Sequence, residues 1–228
     1  MVDHTSKKTL QARSNPPTIT PRVFTDGEVV CRSRLPCVGW NSHPQGVVLE
    51  KGNQLLLNGT ELLYEGEFDD WRPHPEGFVI WRDDRFFLNG FKLLCRSQSW
   101  DDWDSHHQGV IFQRGRRLLL NGKALVHKSD WNSWGSHPQG VVIQRGNQFL
   151  LNGKELLYEG EFGNWDSHPQ GVVIRRGHQF LLNGTKLLYQ GKYDEWNPHS
   201  TGIIVRRGNV WRFHCATPPV SRFDEAFV

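Results

Sequence analysis

The stretch that decides the fold is WGSHPQGVVIQRGNQFLLNGKELLYEG, from Trp134 to Gly160, because nearly the same string, WDSHPQGVVIRRGHQFLLNGTKLLYQG, follows it from Trp165 to Gly191. The repeat returns about every 31 residues, within the range that builds solenoids and propellers. Its copies begin at Trp40, Trp71, Trp103, Trp134, Trp165 and Trp196. In each copy a histidine stands at the third place after the tryptophan and a glycine at the sixth. The sequence therefore predicts six copies of one structural unit.

Each unit contains short apolar runs separated by turn residues. In the fourth copy residues 141–143 form such a run, a Gly-Asn turn follows, and Asn152-Gly153 separates two further apolar stretches. Asn-Gly favours a hairpin, because a type I′ turn needs positive φ at both central residues. The pair recurs at Asn58-Gly59, Asn89-Gly90, Asn121-Gly122 and Asn183-Gly184. Each unit is predicted to form at least three antiparallel strands, and the stretch leading into the next tryptophan could supply a fourth.

The apolar runs indicate how the units pack together. Residues 141–143 and 150–151 are apolar at consecutive positions, so both faces of each small sheet require burial. Neighbouring units can supply that cover, and hairpins argue against a parallel β-helix. Radial stacking of small antiparallel sheets also protects their edges. The predicted fold class is an all-β, six-bladed β-propeller with blade starts near residues 40, 71, 103, 134, 165 and 196.

The two ends of the chain are predicted to share the last blade. After Trp196 the sequence GIIVRRGNVWRFH matches the first two strands, but no Asn-Gly follows it. Near the start, Asp26-Gly27 occupies the Asn-Gly place and residues 28–32 match the third strand. Residues 22–25 (RVFT) compete with NVWRFH for the second strand. The propeller is expected to span 22–215, with flexible tails at 1–21 and 216–228.

The stretch YEGEFDDWRPHPEGFVI, from Tyr64 to Ile80, carries a family resemblance. It resembles the TolB-like or PD40 type of β-propeller repeat, in which a W-S-P-D-G word precedes the innermost strand. Here the word is W-x-x-H-P-Q-G, and the unit is several residues shorter. The resemblance covers about three quarters of the chain and implies a propeller blade with its innermost strand after the word. It does not carry over the partners of TolB.

Composition excludes several classes of function. The chain of 228 residues has a net charge of +3, with basic residues scattered among acidic ones, which does not favour nucleic acid. We expect no membrane span and see no signal peptide, so the predicted location is the cytoplasm or an intracellular assembly. The cysteines, Cys31, Cys37, Cys95 and Cys215, lack zinc-site spacing and are expected to be free thiols. A bond from Cys215 to Cys31 or Cys37 would instead join the two ends. No cofactor is predicted.

Two residue sets are candidate binding residues. The repeated histidines could form a ring on one face that binds a metal, an anion or a carboxylate, or each could cap its own turn; they are His43, His74, His106, His137, His168 and His199. The repeated tryptophans are expected to pack between blades. The additional Trp81, Trp100, Trp131 and Trp211 depart from the repeat and are candidates for exposed contacts. No catalytic residues are predicted, and whether a metal binds stays open.

Three functions compete. Short loops and no recognised catalytic motif favour a non-catalytic binding or scaffold module, an accessory subunit that contacts protein partners through its faces and tails. The alternative is a lectin-like propeller with one glycan pocket per blade, built from the repeated Trp, His and Asn. A metal-dependent hydrolase using the channel ranks last. The repeated polar residues leave open whether they reflect recent duplication or a multivalent surface.

Overall fold

The computed structural model describes residues 22–33 and 37–216, which form six four-stranded antiparallel sheets arranged in a ring. The fold is the predicted six-bladed β-propeller. The described residues contain no helix, and therefore none that is long and apolar enough to cross a membrane. Apart from Ala216, the predicted tails lie outside the described residues.

Each of the first five blades is a continuous meander, numbered here from the innermost strand outward. Blades one and two consist of β2 (Gly39–His43), β3 (Gly46–Lys51), β4 (Gln54–Leu57), β5 (Glu61–Glu65), β6 (Asp70–His74), β7 (Gly77–Arg82), β8 (Arg85–Leu88) and β9 (Lys92–Arg96). Blades three and four consist of β10 (Asp102–His106), β11 (Gly109–Arg114), β12 (Arg117–Leu120), β13 (Ala124–Lys128), β14 (Ser133–His137), β15 (Gly140–Arg145), β16 (Gln148–Leu151) and β17 (Glu155–Glu159). Blade five consists of β18 (Asn164–His168), β19 (Gly171–Arg176), β20 (Gln179–Leu182) and β21 (Lys186–Gln190).

Blade six is built from both ends of the chain, as predicted. It contains β22 (Glu195–His199), β23 (Gly202–Arg207), β24 (Val210–His214) and, outermost, β1 (Val29–Arg32), which pairs with β24. Residues 22–25 and the NVWRFH stretch were both candidates for one strand of this blade, and Val210–His214 forms it, as β24. Phe24, from the competing stretch, instead packs against Phe213, with ring centroids 5.4 Å apart. The ring is thus closed by hydrogen bonds between the two ends of the chain.

The innermost strand is not where the family resemblance implied. The Trp-x-x-His segment itself is the innermost strand, and the Val-Val-Ile run that follows is the second strand. Innermost strands contact those of both neighbouring blades around the whole ring, from β2 to β22. The second strand is buried on both faces, as at Val141, Val142 and Ile143, which are 0% exposed. Apolar residues therefore occupy the middle of each sheet, and mostly polar residues line the central channel.

The core consists of packed clusters between blades, each containing apolar residues from two neighbouring sheets. Between blades four and five, for example, Val142 and Phe149 pack against Val172 and Ile174. Between blades six and one, Trp211 and Phe213 pack against Val47 and Leu49. Cys31, Cys37 and Cys215 lie in or against this last cluster, and all four cysteines are free thiols. Stacking of neighbours, as the apolar runs predicted, buries both faces of each blade.

Candidate functional site

The repeated Asn-Gly pairs hold the turns around the channel. In blade one Asn58 and Gly59 both have positive φ, 50° and 78°, and Thr60 N donates to Leu57 O at 3.1 Å. The Asn58 side chain then accepts from Val47 N at 3.0 Å and donates to Gln45 O at 3.2 Å. The same two side-chain bonds occur in the other continuous blades, at Asn89, Asn121, Asn152 and Asn183. The predicted hairpin residue thus also clamps the neighbouring turn.

The repeated glycine after His-Pro-Gln is required by the same clamp. Gly46 has φ of 144°, and a Cβ at this position would lie 2.0 Å from the Asn58 side-chain oxygen. Only glycine combines that backbone conformation with the close approach. Much of the repeated polar sequence is therefore explained by local structure.

The six repeated histidines lie at one end of the innermost strands, one in each blade. They are between 1% and 6% exposed. In blades one to five the His Nδ1 atom accepts the backbone N–H two residues later, at 3.0–3.2 Å. In blade six the Ser200 and Thr201 hydroxyls lie 3.5 and 3.4 Å from His199 Nδ1. Each histidine thus contacts its own turn.

The other imidazole nitrogen faces the next blade. His74 Nε2 lies 3.0 Å from the His106 carbonyl oxygen, which makes Nε2 the protonated nitrogen of the neutral ring. His106, His168 and His199 face backbone carbonyls of the next blade without reaching hydrogen-bond geometry. Burial lowers the histidine pKa values, to about 4 for His43, His106, His168 and His199. Among the described residues no three His, Cys, Asp or Glu side chains are placed to hold a metal ion.

The repeated tryptophans pack between blades, and most of their indole N–H groups bond to the preceding blade. Trp71 Nε1 donates to Glu50 at 2.9 Å and Trp134 Nε1 to Gln113 at 2.6 Å. Trp165 Nε1 donates to Ser133 at 3.0 Å. The indole N–H groups held in this way are not free to bind a ligand.

The additional tryptophans are less exposed than the sequence suggested. Trp81, Trp100 and Trp131 are half-buried, and Trp81 and Trp100 form an edge-to-face pair with ring centroids 5.0 Å apart. Trp211 is only 1% exposed, so the prediction of an exposed contact there is wrong. The reason is its position in β24, where it packs between blades six and one against Trp40.

The central channel is a cavity of about 720 Å³ lined by the innermost strands. The residue directly after the repeat tryptophan varies around the ring among Asn, Arg, Asp and Gly. In ring order these residues are Asn41, Arg72, Asp104, Gly135, Asp166 and Asn197, and all but Gly135 line the cavity. The channel wall is therefore asymmetric in charge, in contrast to the repeated turns that surround it.

Asp104 and Asp166 are two carboxyl groups of this wall, and the pKa of each is raised above its ordinary value. Burial, together with the Asp104 charge, raises the pKa of Asp166 to about 7. Burial also raises the pKa of Asp104, against the lowering effect of amide hydrogen bonds and Arg72. A proton on Asp166 is thus easily gained or lost near neutral pH.

The sequence analysis did not predict these channel residues as a candidate site. The signal was available, because aligning the copies shows that both positions between the repeated Trp and His vary, the first among Asn, Arg, Asp and Gly and the second between Ser and Pro.

No protein-family model matches the chain, and no curated protein is similar enough to count as a relative. The propeller fold is therefore established by its strands, and the TolB-like or PD40 type of repeat stays a prediction.

Proposed function

We propose that this protein is a non-catalytic binding module, an accessory subunit of a larger intracellular assembly, and that it takes a polar group of a protein partner at the channel. The observation that carries the proposal is the asymmetric channel wall within an otherwise repetitive ring. A site that recognises one ligand group needs such asymmetry, whereas turn-forming residues recur in every blade.

Asp166 is the residue that we expect to contact the partner. Its Oδ1 atom accepts Ser167 N at 2.7 Å, the carboxylate also accepts the Ser167 hydroxyl, and among the described residues no donor from another blade is recorded for Oδ2. The side chain lines the channel cavity together with Arg72 and Asn197. A hydrogen-bond donor or cation from a partner would pair with this oxygen, and a carboxyl group in a cavity with a shifted pKa is a typical recognition group.

The face around the channel mouth offers the docking surface. We call it the His-Pro face; it is formed by the turns after the innermost strands and the neighbouring Asn-Gly turns. The opposite surface, the linker face, carries the turns between second and third strands and the links between blades. On the His-Pro face residues 138–139 and 169–170 are exposed around the entrance. Pre-formed, short turns suit a rigid docking surface.

The lectin-like alternative receives less support. Its pockets would use the repeated Trp, His and Asn, but these side chains make the packing and turn contacts described above. The W-x-x-H-P-Q-G word remains the sole support for assigning the repeat to the TolB-like or PD40 type.

The proposal can be tested on the complex isolated from the natural source. Native mass spectrometry should detect a stable complex, and lysine cross-links should come from Lys123 and Lys154 on the His-Pro face rather than from Lys51 and Lys128 near the linker face. Asp166→Asn keeps an acceptor for Ser167 N but changes the group facing the channel. We expect it to weaken the complex about tenfold, as removal of a charged hydrogen-bond partner does.

The matched control is Asp130→Asn, since Asp130 is an exposed aspartate, 76% accessible, in a surface ion pair with Arg116. Full complex formation by Asp166→Asn, or cross-links confined to the linker face, would contradict the proposal.

A further inference from the structure

A groove on the linker face between blades five and six is unusually basic. It encloses a cavity of about 570 Å³. Arg175 lies at the end of β19 and His178 in the turn after it, Lys192 lies in the link to blade six, and Arg207 ends β23. Tyr193 and Asp194 also line the groove.

Most of these cationic groups have no partner. The His178, Lys192 and Arg207 side chains make no recorded hydrogen bond or ion pair with other described residues. Arg175 donates from Nη1 to the Tyr193 hydroxyl at 2.6 Å, while its buried Nε has no acceptor. The Tyr193 hydroxyl thus holds the Arg175 guanidinium in place, and the other N–H groups of the guanidinium have no recorded acceptor among the described residues.

The one acidic residue of the groove is already engaged. Asp194 Oδ2 accepts Gly208 N at 2.6 Å and so stabilises the turn between β23 and β24. No salt bridge joins Asp194 to a basic side chain among the described residues. The groove therefore carries excess positive charge in a concave site, where fields are focused.

The equivalent grooves show that this charge is not a property of the repeat. Between blades four and five the positions of Arg175, His178 and Lys192 are occupied by Gln144, Asn147 and Glu161. Between blades one and two they are occupied by Glu50, Asn53 and Glu67.

The last cation of the groove, Arg207, also lacks the bond that its counterparts in blades three, four and five make. Arg176, the counterpart of Arg207 in the groove between blades four and five, donates from Nε to Glu161 O at 3.0 Å. Arg114 and Arg145 make the same bond to the links before their own blades. Arg207 makes no such bond to the Lys192 carbonyl oxygen, which accepts the Tyr189 hydroxyl at 2.9 Å.

We infer that the groove between blades five and six is a binding site for a phosphoryl group, carried by a phosphate ester or a polyphosphate. Arginine presents a planar set of donors that matches phosphate oxygens, and lysine adds a point charge. A dianion balances several cations better than a single carboxylate does. The site lies on the face opposite the His-Pro face, so it does not depend on the function proposed above.

The test is calorimetric titration of the full chain with inorganic phosphate and with pyrophosphate at low ionic strength. The variant Arg175→Gln/His178→Asn/Lys192→Glu converts the groove to the residues found between blades four and five. Each new residue already occurs at the equivalent place, so the variant should fold, which its thermal unfolding will verify. The control variant Arg117→Gln/Lys123→Glu makes the same change in net charge at exposed positions of blade three.

We expect saturable binding of both anions, tighter for pyrophosphate, by the unaltered chain and the control variant. The groove variant should bind at least about tenfold more weakly, because charge-assisted bonds are lost. Titration with free phosphoserine and with a phosphoserine peptide distinguishes the source: tighter binding of the peptide indicates a modified protein, and equal binding indicates a small phosphate ester. Absence of saturable binding, or equal binding by a folded groove variant, would overturn the inference.

Discussion

Asp104 in blade three and Asp166 in blade five occupy the same place in the repeat, yet they have different surroundings. Each accepts the amide of the following serine through Oδ1, at 2.8 and 2.7 Å. Asp104 Oδ2 also accepts Ser136 N of the next blade at 3.0 Å. The counterpart of Ser136 beyond blade five is Pro198, which has no amide hydrogen.

The difference shows that the role of a repeated residue depends on its neighbour blade. Asp104 joins two blades, whereas Asp166 bonds only within its own blade among the described residues and lines the channel. Residues that recur together with their partners, such as the Asn clamps and capping histidines, maintain the fold. Binding groups are to be sought where the residue recurs but its partner does not.

The largest expected effect comes from acid, through the histidines that surround both aspartates. The six folded-state pKa values lie below the ordinary 6.5, four of them near 4, chiefly because of burial. Below pH 6.5 the unfolded chain binds protons that the folded chain does not, so the free energy of unfolding falls as pH falls towards 4. We expect acid unfolding between these values, measured by circular dichroism against pH.

Asp166 has the opposite effect on the pH dependence of the free energy of unfolding. Its pKa of about 7 in the folded protein exceeds the ordinary 3.8, so its contribution to stability grows as pH falls from 7 towards 3.8. Asn is neutral at every pH, like the protonated carboxyl, so Asp166→Asn removes this pH dependence; the free energy of unfolding should rise at pH 7 and then fall more steeply towards pH 4 than in the unaltered protein. An unchanged free energy of unfolding at pH 7 and an unchanged pH dependence would show that Asp166 does not hold a proton in the folded protein.

The second largest effect concerns the hydrogen bond between blades three and four that Asp104 accepts from Ser136 N. Asp104→Ala leaves the amides of Ser105 and Ser136 without their acceptor and should lower the free energy of unfolding by about 2–4 kcal/mol. Asp166→Ala leaves one such amide unpaired and removes a like charge from Asp104, so we expect a loss below about 1.5 kcal/mol. Urea unfolding measures both, with exposed Asp130→Ala as the unaffected reference. Equal losses at the two aspartates would contradict the assigned difference.

The sequence predicted the parts of the fold that rest on local chemistry and periodicity. The Asn-Gly turns follow from the need for positive φ, and the closure of blade six follows from the missing strand. The innermost strand was missed because Asp-Trp-Arg-Pro-His, at 70–74, has the composition of a loop. An innermost strand has one edge without a strand partner, and there Pro73 costs no ladder hydrogen bond.

The candidate site could be predicted only in part. The histidines were placed on one face, but sequence alone does not show that their nitrogens serve turns and neighbouring blades. The role of Asp166 depends on a proline more than thirty residues away in the next blade, a contact that exists only once the ring closes. The basic groove likewise joins β19 to the link before blade six, and only the structure brings these together.

The smallest effect is the exchange of the one neighbour that distinguishes the aspartates. Pro198→Ser restores an amide donor at the place that Ser136 occupies beside Asp104, so the pKa of Asp166 should fall, because a hydrogen bond to the charged form favours it. Carboxyl carbon NMR shifts against pH would measure the change, with unaltered Asp104 in the same spectra as the internal reference. Stability at neutral pH should change little, since serine already occupies this position in other blades. If the Asp166 pKa stays near 7 in a folded Pro198→Ser protein, the missing amide is not what separates the two aspartates, and their burial or the Asp104 charge must do so instead.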